Sequence, residues 1–399
     1  MEPMSHNLAI NGGTPVRNTL LPYGRQLIGE DDISLVCEAL TSGWLTTGPK
    51  VEEFEKAFAS AVQAEYAVAV SNGTAALHAA AFAAGIGPGD EVIVPVITFA
   101  ASANCVRYLG GNVVFVDVEP KTLNIDVTQV ERAITPKTKA IIAVDFAGLP
   151  AELEKIIALA QTHRLRVIED AAHAFGATYQ RRAVGSVTEL TTFSLHPVKH
   201  ITTGEGGMIT TSDPMLAQTM RRFRNHGINS DFRAREATAS WFYEMVELGY
   251  NYRLTDIQCA LGIAQLRKHS LWLKRRREIV ACYHEALSCC DTIELPTELP
   301  NRESAWHLYP IRLNLELLTA GRAQIFQAFR KENIGVNVHY IPVPWHPYYE
   351  KLGYQKGAWP VGESVYERML SLPLFPSMSE QDVADVIEAC LKIMKAYRR

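Results

Sequence analysis

The sequence lacks the features that mark membrane-spanning, secreted and metal-binding proteins. It contains no run of about 18 apolar residues, the length that a membrane-spanning helix requires. Its first residues, "MEPMSHNLAINGG", have no apolar core of a signal peptide. The seven cysteines form no CxxC pair and match neither a zinc site nor a disulfide framework. We therefore expect reduced thiols, no metal site and a cytoplasmic location.

An excess of charge of one sign is also missing. A net charge of -4 gives no electrostatic drive toward nucleic acid or an anionic membrane, so neither is an expected partner. Hydrophobic residues at 47% and charged residues at 21% are typical of a soluble globular protein. No internal repeat or low-complexity segment is present. A chain of 399 residues exceeds the usual size of one hydrophobic core, which favours two domains.

Short apolar segments alternate with helical patterns in the first half of the chain. The segments are rich in Val and Ile and are bounded by Gly, Pro, Asn or Asp, as strands are. This alternation predicts an α/β fold with a mostly parallel sheet that helices cover on both faces. The seven predicted strands are residues 66–70, 91–96, 113–118, 140–146, 166–171, 191–195 and 207–211.

The pattern changes near residue 255 and predicts two domains, a large one at 20–255 and a small α+β one at 256–399. The small domain should begin with a long helix that is either continuous or broken once. Two further strands are predicted at 307–315 and 336–343, with a helix between them. The last helix should begin near Ser379, because Asp382 three residues later completes a weak capping box. Residues 1–19 form a segment that can pack on the small domain.

The stretch "VSNGTAALHAAAFAAG" follows a predicted strand and opens a predicted helix. Gly73 and Thr74 then lie at the helix N-terminus, where free N–H groups and the helix dipole favour an anion. Gly73 permits close backbone approach, and Thr74 adds a hydroxyl donor. An ordinary polar helix cap has the same sequence, so this stretch alone does not decide between a cap and a phosphate site.

Asp170 ends another predicted strand, in "VIEDAAHAFGA", and His173 follows it. Ligands bind at that edge of an open parallel sheet, although a lone aspartate more often caps the next helix. Lys199 lies further on, in "FSLHPVKHITTGEGGMITT", with Ser194 before it. Most lysines are solvated, but partial desolvation lowers the pKa of a lysine and makes it a nucleophile toward aldehydes. A phosphate cradle, an acid and an imine-forming lysine together are what pyridoxal phosphate (PLP) requires.

These motifs resemble those of the DegT/DnrJ/StrS family of PLP-dependent sugar aminotransferases, and they occur in the family order. The resemblance covers nearly the whole chain and weakens toward the C-terminus. It implies PLP fold type I. The segments that carry it are "SGWLTTGPKVEEFE" (42–55), "SNGTAALHAA" (71–80), "GDEVIVPVITFAASANC" (89–105), "IEDAAHAFGA" (168–177), the lysine stretch (193–211), "HGI" (226–228), "GYNYRLTDIQCALG" (249–262) and, more weakly, "NVHYIPVPWHPYY" (337–349).

The resemblance implies a role for each matched residue. Lys199 would bond covalently to PLP and carry the proton during transamination. Asp170 would pair with the protonated pyridine nitrogen, His173 would hydrogen-bond the phenolic oxygen, and Phe99 would stack on the ring. The phosphate would be held by Gly73, Thr74 and Ser194. Asn251 would reach the phosphate of the neighbouring subunit, because the active sites of this family are composite at a homodimer interface.

The resemblance also implies a reaction with two halves. L-glutamate gives its amino group to the cofactor, which becomes pyridoxamine phosphate (PMP), and leaves as 2-oxoglutarate. A nucleotide-linked keto-sugar then accepts the amino group. The motifs look most like pseudaminic-acid-type enzymes, which aminate C4 of a UDP-4-keto-6-deoxy-N-acetylhexosamine. Amination of 3-keto- or other 4-keto-sugar nucleotides remains open, as do a PLP-dependent dehydratase and a regulatory protein without turnover. Lys199 favours aminotransfer, because dehydratase relatives carry histidine there.

Residues that contact the sugar nucleotide are the least defined by the sequence. Four aromatic or histidine residues on the predicted C-terminal strands are candidates, although such residues more often pack in a core. They are His307, Tyr309, His339 and Tyr340. The basic cluster "LKRRRE" (273–278) could attract a diphosphate, but on a helix it would more commonly face solvent.

Overall fold

The computed structural model describes residues 7–230, 232–237 and 239–399. Within these ranges the chain forms thirteen strands and thirteen α-helices. The strands are β1 (Tyr66–Val70), β2 (Glu91–Pro95), β3 (Asn112–Val116), β4 (Thr138–Val144), β5 (Arg166–Asp170), β6 (Thr178–Tyr179), β7 (Arg182–Ala183), β8 (Leu190–Ser194), β9 (Gly207–Thr211), β10 (Ile293–Glu294), β11 (Arg302–Glu303), β12 (Tyr309–Leu313) and β13 (Met369–Leu372).

The helices alternate with the strands in the first half of the chain and dominate the second half. None of the described helices has both the length and the apolar character that crossing a membrane demands. They are α1 (Glu30–Thr41), α2 (Pro49–Ala61), α3 (Gly73–Ala83), α4 (Ala101–Tyr108), α5 (Val127–Ala133), α6 (Leu153–His163), α7 (Pro214–Phe223), α8 (Phe232–Ala237), α9 (Asp256–Leu287), α10 (Arg322–Lys331), α11 (Pro347–Glu350), α12 (Pro360–Arg368) and α13 (Glu380–Tyr397).

The central sheet has seven strands in the order β1-β9-β8-β5-β4-β2-β3. Neighbours from β8 to β3 run parallel, and β9 runs antiparallel to both β1 and β8. Alternate side chains of the strands pack against α3, α4 and α7 on one face and against α2, α5, α6 and α9 on the other. The predicted α/β fold with seven mostly parallel strands is confirmed, because each buried apolar segment became one strand of the sheet.

A second hydrophobic cluster lies around the antiparallel sheet β10-β12-β13 and the helices α10 and α13. Leu8 and Leu21 from the N-terminal segment belong to this cluster. The buried carboxylate of Glu332 accepts hydrogen bonds from the N–H groups of Ala9 and Val16, both at 2.9 Å. The two ends of the chain therefore pack together around the smaller sheet.

Helix α9 joins the two parts of the structure. Its N-terminus is fixed by a capping box between Thr255 and Gln258. It packs on α1 and α2 and then reaches α13. Its 32 residues form one continuous helix, without the single break that the sequence allowed. The last helix begins where it was predicted, since Ser379 and Asp382 form the expected capping box.

The strand predicted at residues 336–343 is wrong. Only Asn337 pairs there, in an isolated bridge with Ser371. Pro342 and Pro344 have no N–H group to donate to a neighbouring strand, which explains why the alternating pattern does not form one. The segment instead crosses the structure as irregular chain. The strand predicted at 307–315 is shorter than expected and spans Tyr309–Leu313.

Candidate active site

A cavity of about 850 Å³ opens at the edge of the central sheet where β4, β5 and β8 end and α3 begins. Ligands bind at this edge in open α/β sheets. Tyr23 and residues 337–340 line the cavity from the other part of the structure. Nine of the residues singled out in the sequence line it: Gly73, Thr74, Phe99, Asp170, His173, Ser194, Lys199, His339 and Tyr340.

The first turn of α3 forms one end of the cavity. Asn72 caps the helix, because its Oδ1 accepts a hydrogen bond from the N–H of Ala75 at 2.8 Å. Gly73 and Thr74 begin the helix, so their N–H groups belong to the turn that has no intrahelical acceptors. A Cβ on Gly73 would lie only 3.0 Å from the Cβ of Ser194, so glycine lets β8 approach closely. Amide and hydroxyl donors at a helix N-terminus suit an anion such as phosphate.

Asp170 ends β5 and is buried, with 5% of its surface exposed. Its Oδ2 accepts a hydrogen bond from Ser102 at 2.6 Å, and its Oδ1 accepts one from the N–H of Ala172 at 3.2 Å. Burial raises the pKa of this carboxyl, whereas the two hydrogen bonds and the positive charge of Lys199 oppose the rise. A cationic group in the cavity would supply the counter-charge that a buried carboxylate needs.

Ser102 is a site residue that sequence reasoning missed. It lies in α4, 68 residues before the carboxylate that it contacts. Its hydroxyl also lies 2.7 Å from that of Thr98, at the end of the β2 segment. One sequence signal could have found it, because Thr98 and Ser102 both lie in the segment 89–105 that resembles the DegT/DnrJ/StrS family.

Lys199 lies on the same wall of the cavity, a few residues after β8 ends. Burial lowers the pKa of its amine to about 8, although the nearby charge of Asp170 acts in the opposite direction. An amine with a pKa near 8 is partly unprotonated at neutral pH. It is therefore able to act both as a nucleophile and as an acid-base group.

His173 is buried and links the wall of the cavity to the C-terminal part of the chain. Its Nε2 lies 3.0 Å from the hydroxyl of Tyr340, and its Nδ1 has no hydrogen-bond partner among the described residues. Burial and the charge of Lys199 hold the pKa of His173 well below its ordinary value. The lowered pKa favours a neutral ring, and among the described residues its Nδ1 has no partner.

Aromatic side chains surround the opening of the cavity. Phe99 is 60% exposed, and its ring centroid lies 5.9 Å from that of Tyr340. The ring of His339 is held by Ser371, whose Oγ lies 2.9 Å from its Nδ1, and it packs against Tyr23. An exposed aromatic side chain at the edge of a cavity is available to pack on a flat ligand.

Three predicted site residues lie elsewhere. Tyr309 does not line the cavity, because it is fully buried in the C-terminal hydrophobic cluster with its hydroxyl 3.2 Å from Nδ1 of His284. His307 is buried beneath the cavity, with its Nε2 3.5 Å from Nζ of Lys199. Asn251 is exposed on the surface, in an isolated bridge with Asn225, and does not line the cavity of its own chain.

Known proteins resemble this chain along nearly its full length. The DegT/DnrJ/EryC1/StrS aminotransferase family matches residues 26–391. The spore coat polysaccharide biosynthesis protein SpsC of Bacillus subtilis is 44% identical over 382 residues, which cover 95% of this chain and 98% of SpsC.

Solved structures agree with this match. Spr1654 of Streptococcus pneumoniae, in its PMP form, superposes with a TM-score of 0.89 at 32% identity, covering 94% of this chain and 99% of that one. A PLP form of the same protein gives a TM-score of 0.88. PseC of Helicobacter pylori, an aminotransferase involved in the biosynthesis of pseudoaminic acid, gives 0.88 at 30% identity over 95% of this chain and all of that one.

The chain belongs to the DegT/DnrJ/EryC1/StrS aminotransferase family, and it is a PLP-dependent sugar aminotransferase with the type I fold. The cavity fits the cofactor on its own geometry. It offers donors at a helix N-terminus for a phosphate and a lysine with a lowered pKa. It also offers a buried carboxylate to which no described residue bonds as a cation, and a buried histidine nitrogen without a described partner.

Proposed function

We propose that this enzyme transfers the amino group of L-glutamate to C4 of a UDP-linked 4-keto-6-deoxy-N-acetylhexosamine and releases 2-oxoglutarate. The placement of Asp170 and Lys199 on one wall of an 850 Å³ cavity is the observation that carries the transfer reaction. The sugar rests on the resemblance of the motifs to pseudaminic-acid-type enzymes and on the structural similarity to PseC.

The residues of the cavity suit the different parts of PLP. Gly73, Thr74 and Ser194 would hold the phosphate, because they combine amide and hydroxyl donors at the start of α3. Asp170 would face the ring nitrogen, and a proton there would provide the cation that the buried carboxylate needs. His173 and Phe99 are proposed to contact the phenolic oxygen and the face of the ring.

When bound, PLP supplies an electron sink that stabilises negative charge at the carbon that loses its proton. Lys199 would move that proton, because a pKa near 8 lets its Nζ both accept and return a proton near neutral pH. Ser102 would orient Asp170 through the hydrogen bond to Oδ2. Neutral His173 would hold its hydrogen bonds without adding positive charge beside the lysine.

The active form is proposed to be a homodimer with composite sites. Asn251 lies on the surface and away from the cavity of its own chain, so any contact with the cofactor phosphate requires a second copy. Exposed apolar side chains precede it in the sequence: Trp241, Phe242, Met245, Val246 and Leu248. Covering such a patch with another subunit would remove apolar surface from water.

The acceptor sugar is the least constrained part of the proposal. SpsC takes its name from the synthesis of a spore coat polysaccharide, so other 4-keto- and 3-keto-sugar nucleotides remain alternatives. A PLP-dependent dehydratase is the second class, and the lysine at position 199 counts against it because dehydratase relatives carry histidine there.

One experiment separates these alternatives. The PLP-loaded enzyme is first treated with L-glutamate, or with L-alanine and L-aspartate as control donors, while its visible absorbance is recorded. It is then mixed with a panel of keto-sugar nucleotides, and the products are identified by mass and NMR. We expect glutamate to bleach the absorbance and the 4-keto-6-deoxy-N-acetylhexosamine to restore it with amination at C4. Release of water without amino transfer would identify a dehydratase, and amination at C3 would overturn the proposed regiochemistry.

A further inference from the structure

One member of the basic cluster at 273–278 is buried, contrary to the solvated face that such clusters usually form. Arg276, on α9, exposes only 2% of its surface. Its Nη1 donates hydrogen bonds to the carbonyl oxygens of Trp306, His307 and Leu374 at 3.1, 3.4 and 3.0 Å. These acceptors are carbonyls and not carboxylates, so no carboxylate among the described residues is bonded to the guanidinium. A buried charge of this kind is costly, which suggests a function beyond packing.

Arg276 fixes the chain segment that places His307 against Lys199. The N–H of His307 donates to the carbonyl oxygen of Ala147 at 2.9 Å, while its own carbonyl accepts from Arg276. The imidazole Nε2 then lies 3.5 Å from Nζ of Lys199. That distance is at the long end of hydrogen bonding, and a small rotation of the flexible lysine side chain would shorten it.

We propose that Arg276 and His307 hold the free amine of Lys199: Arg276 fixes the peptide groups around His307, and the imidazole shares a hydrogen bond with the amine whenever that amine is not bonded to the cofactor. This inference rests on the proposed role of Lys199. In that role the amine is released once per catalytic cycle, during the first half-reaction, and is bonded again at the end of the second. A fixed partner keeps it pointing into the cavity in between.

The surroundings of His307 support a neutral ring. Burial is the main cause that holds its pKa well below the ordinary value, and neighbouring positive charges add to the effect. Within the described part of the chain, the titratable and charged groups that act on the ring are basic: Lys199, His173, His200 and Arg276. A second cation here would oppose the protonation of Lys199, so a neutral His307 is the state in which the lysine can carry a proton.

The test measures the lysine amine itself and not turnover. The full-length protein without cofactor is labelled with acetic anhydride over a pH series, and acetylation of Lys199 is quantified by mass spectrometry. We expect an apparent pKa of about 8 in the unaltered protein. In His307→Phe, which fills the space but removes the partner, the pKa should be lower by about 0.5 to 1, as expected for one lost hydrogen bond. His307→Gln, which keeps a neutral polar partner, should restore most of the difference.

Arg276→Met should lower the same pKa, because the segment that carries His307 loses its anchor. The decisive result is the double variant: if Arg276 acts through His307, Arg276→Met should have no additional effect in the His307→Phe background. Arg275→Met, on the same helix but bonded to the carbonyl of Met378, is the matched control and should leave the pKa unchanged.

An unchanged Lys199 pKa in His307→Phe, or additive effects of the two substitutions, would overturn the inference. If Arg276→Met does not fold, the contrast between Phe and Gln at position 307 decides it. Because the labelling needs neither cofactor nor substrate, this result is independent of whether the proposed reaction is correct.

Discussion

Two sides of the cavity are built in different ways. The floor consists of four residues that lie at the end of a buried strand, shortly after one, or in the first turn of α3. They are Gly73, Asp170, Ser194 and Lys199. The cover consists of residues 337–340, an irregular segment that one isolated bridge joins to Ser371 of β13. Buried parallel strands fix the floor through many backbone hydrogen bonds, whereas the cover depends on a few side-chain contacts. We propose that the floor provides the chemistry and that the cover selects the sugar.

Substitution of the lysine in the floor should have the largest effect. Lys199→Ala removes the proposed nucleophile and proton carrier, so glutamate-dependent transamination should fall by about a thousandfold or more. The fold should persist, because Lys199 is not part of a hydrophobic cluster. Steady-state rates and circular dichroism check both expectations. Turnover close to that of the unaltered enzyme would refute the role of this residue.

Asp170→Asn should have the next largest effect. The amide keeps the size of the side chain but removes the negative charge proposed to face the ring nitrogen, so the rate should fall by about a hundredfold. The cofactor should still bind, which its absorbance after gel filtration would show. Asp170→Glu, which retains the charge, should keep more activity than Asn. Equal rates in Asn and the unaltered enzyme would mean that the carboxylate has only a structural role.

A substitution in the cover should act mainly on substrate binding. Tyr340→Phe removes the hydroxyl that lies 3.0 Å from Nε2 of His173 but keeps the aromatic ring. We expect KM for the keto-sugar nucleotide to rise by about tenfold and kcat to change by less than about threefold. Tyr309→Phe is the matched control, because that hydroxyl lies in the core and away from the cavity. If kcat falls by a larger factor than KM rises, the floor and the cover do not differ in function as proposed.

The smallest effect is expected from a substitution on the sheet behind the floor, where it should change the pH dependence of stability. Asp145 and Glu169 are fully buried there, and burial is the largest cause that raises the pKa of both carboxyls. Ordinary values near 4 apply in the unfolded chain, so the folded protein binds the extra protons. The stabilisation is therefore complete below about pH 4 and is lost as the pH rises toward the folded-state pKa.

Asp145→Asn cannot release a proton, so its free energy of unfolding should decline less with rising pH. The difference in free energy of unfolding between the variant and the unaltered protein should therefore change steadily as the pH rises from about 4 toward the folded-state pKa. Urea unfolding at several pH values measures it, with the exposed Glu131→Gln as control. Parallel stability curves for Asp145→Asn and the unaltered protein would show that this carboxyl does not bind the proton.

The sequence predicted the seven strands of the sheet because each is a buried apolar segment between turn residues, and this pattern is local. Contacts between distant parts of the chain cannot be read from such a local pattern. A Cβ on Gly207 would lie 2.3 Å from the carbonyl oxygen of Asn72, so glycine is needed there because of a distant segment. The hydrogen bond of Ser102 to Asp170 also joins distant segments.

The C-terminal half was harder to predict for a related reason. Residues 336–343 alternate like a strand, but whether a partner strand lies beside them depends on tertiary structure. In β12 every residue is buried, so the sequence does not show that Tyr309 packs in the core while His307, two residues earlier, reaches Lys199. Likewise, the sequence of the basic cluster does not distinguish buried Arg276 from half-buried Arg275 and exposed Arg277.

The proposed chemistry requires that the amine of Lys199 bonds to the cofactor. Borohydride reduction of the PLP-loaded enzyme, followed by peptide mapping, is the decisive test of this bond. We expect one pyridoxyl group per chain, on Lys199 in the peptide that contains residues 193–211. A pyridoxyl group on another lysine, or none on any peptide, would contradict it.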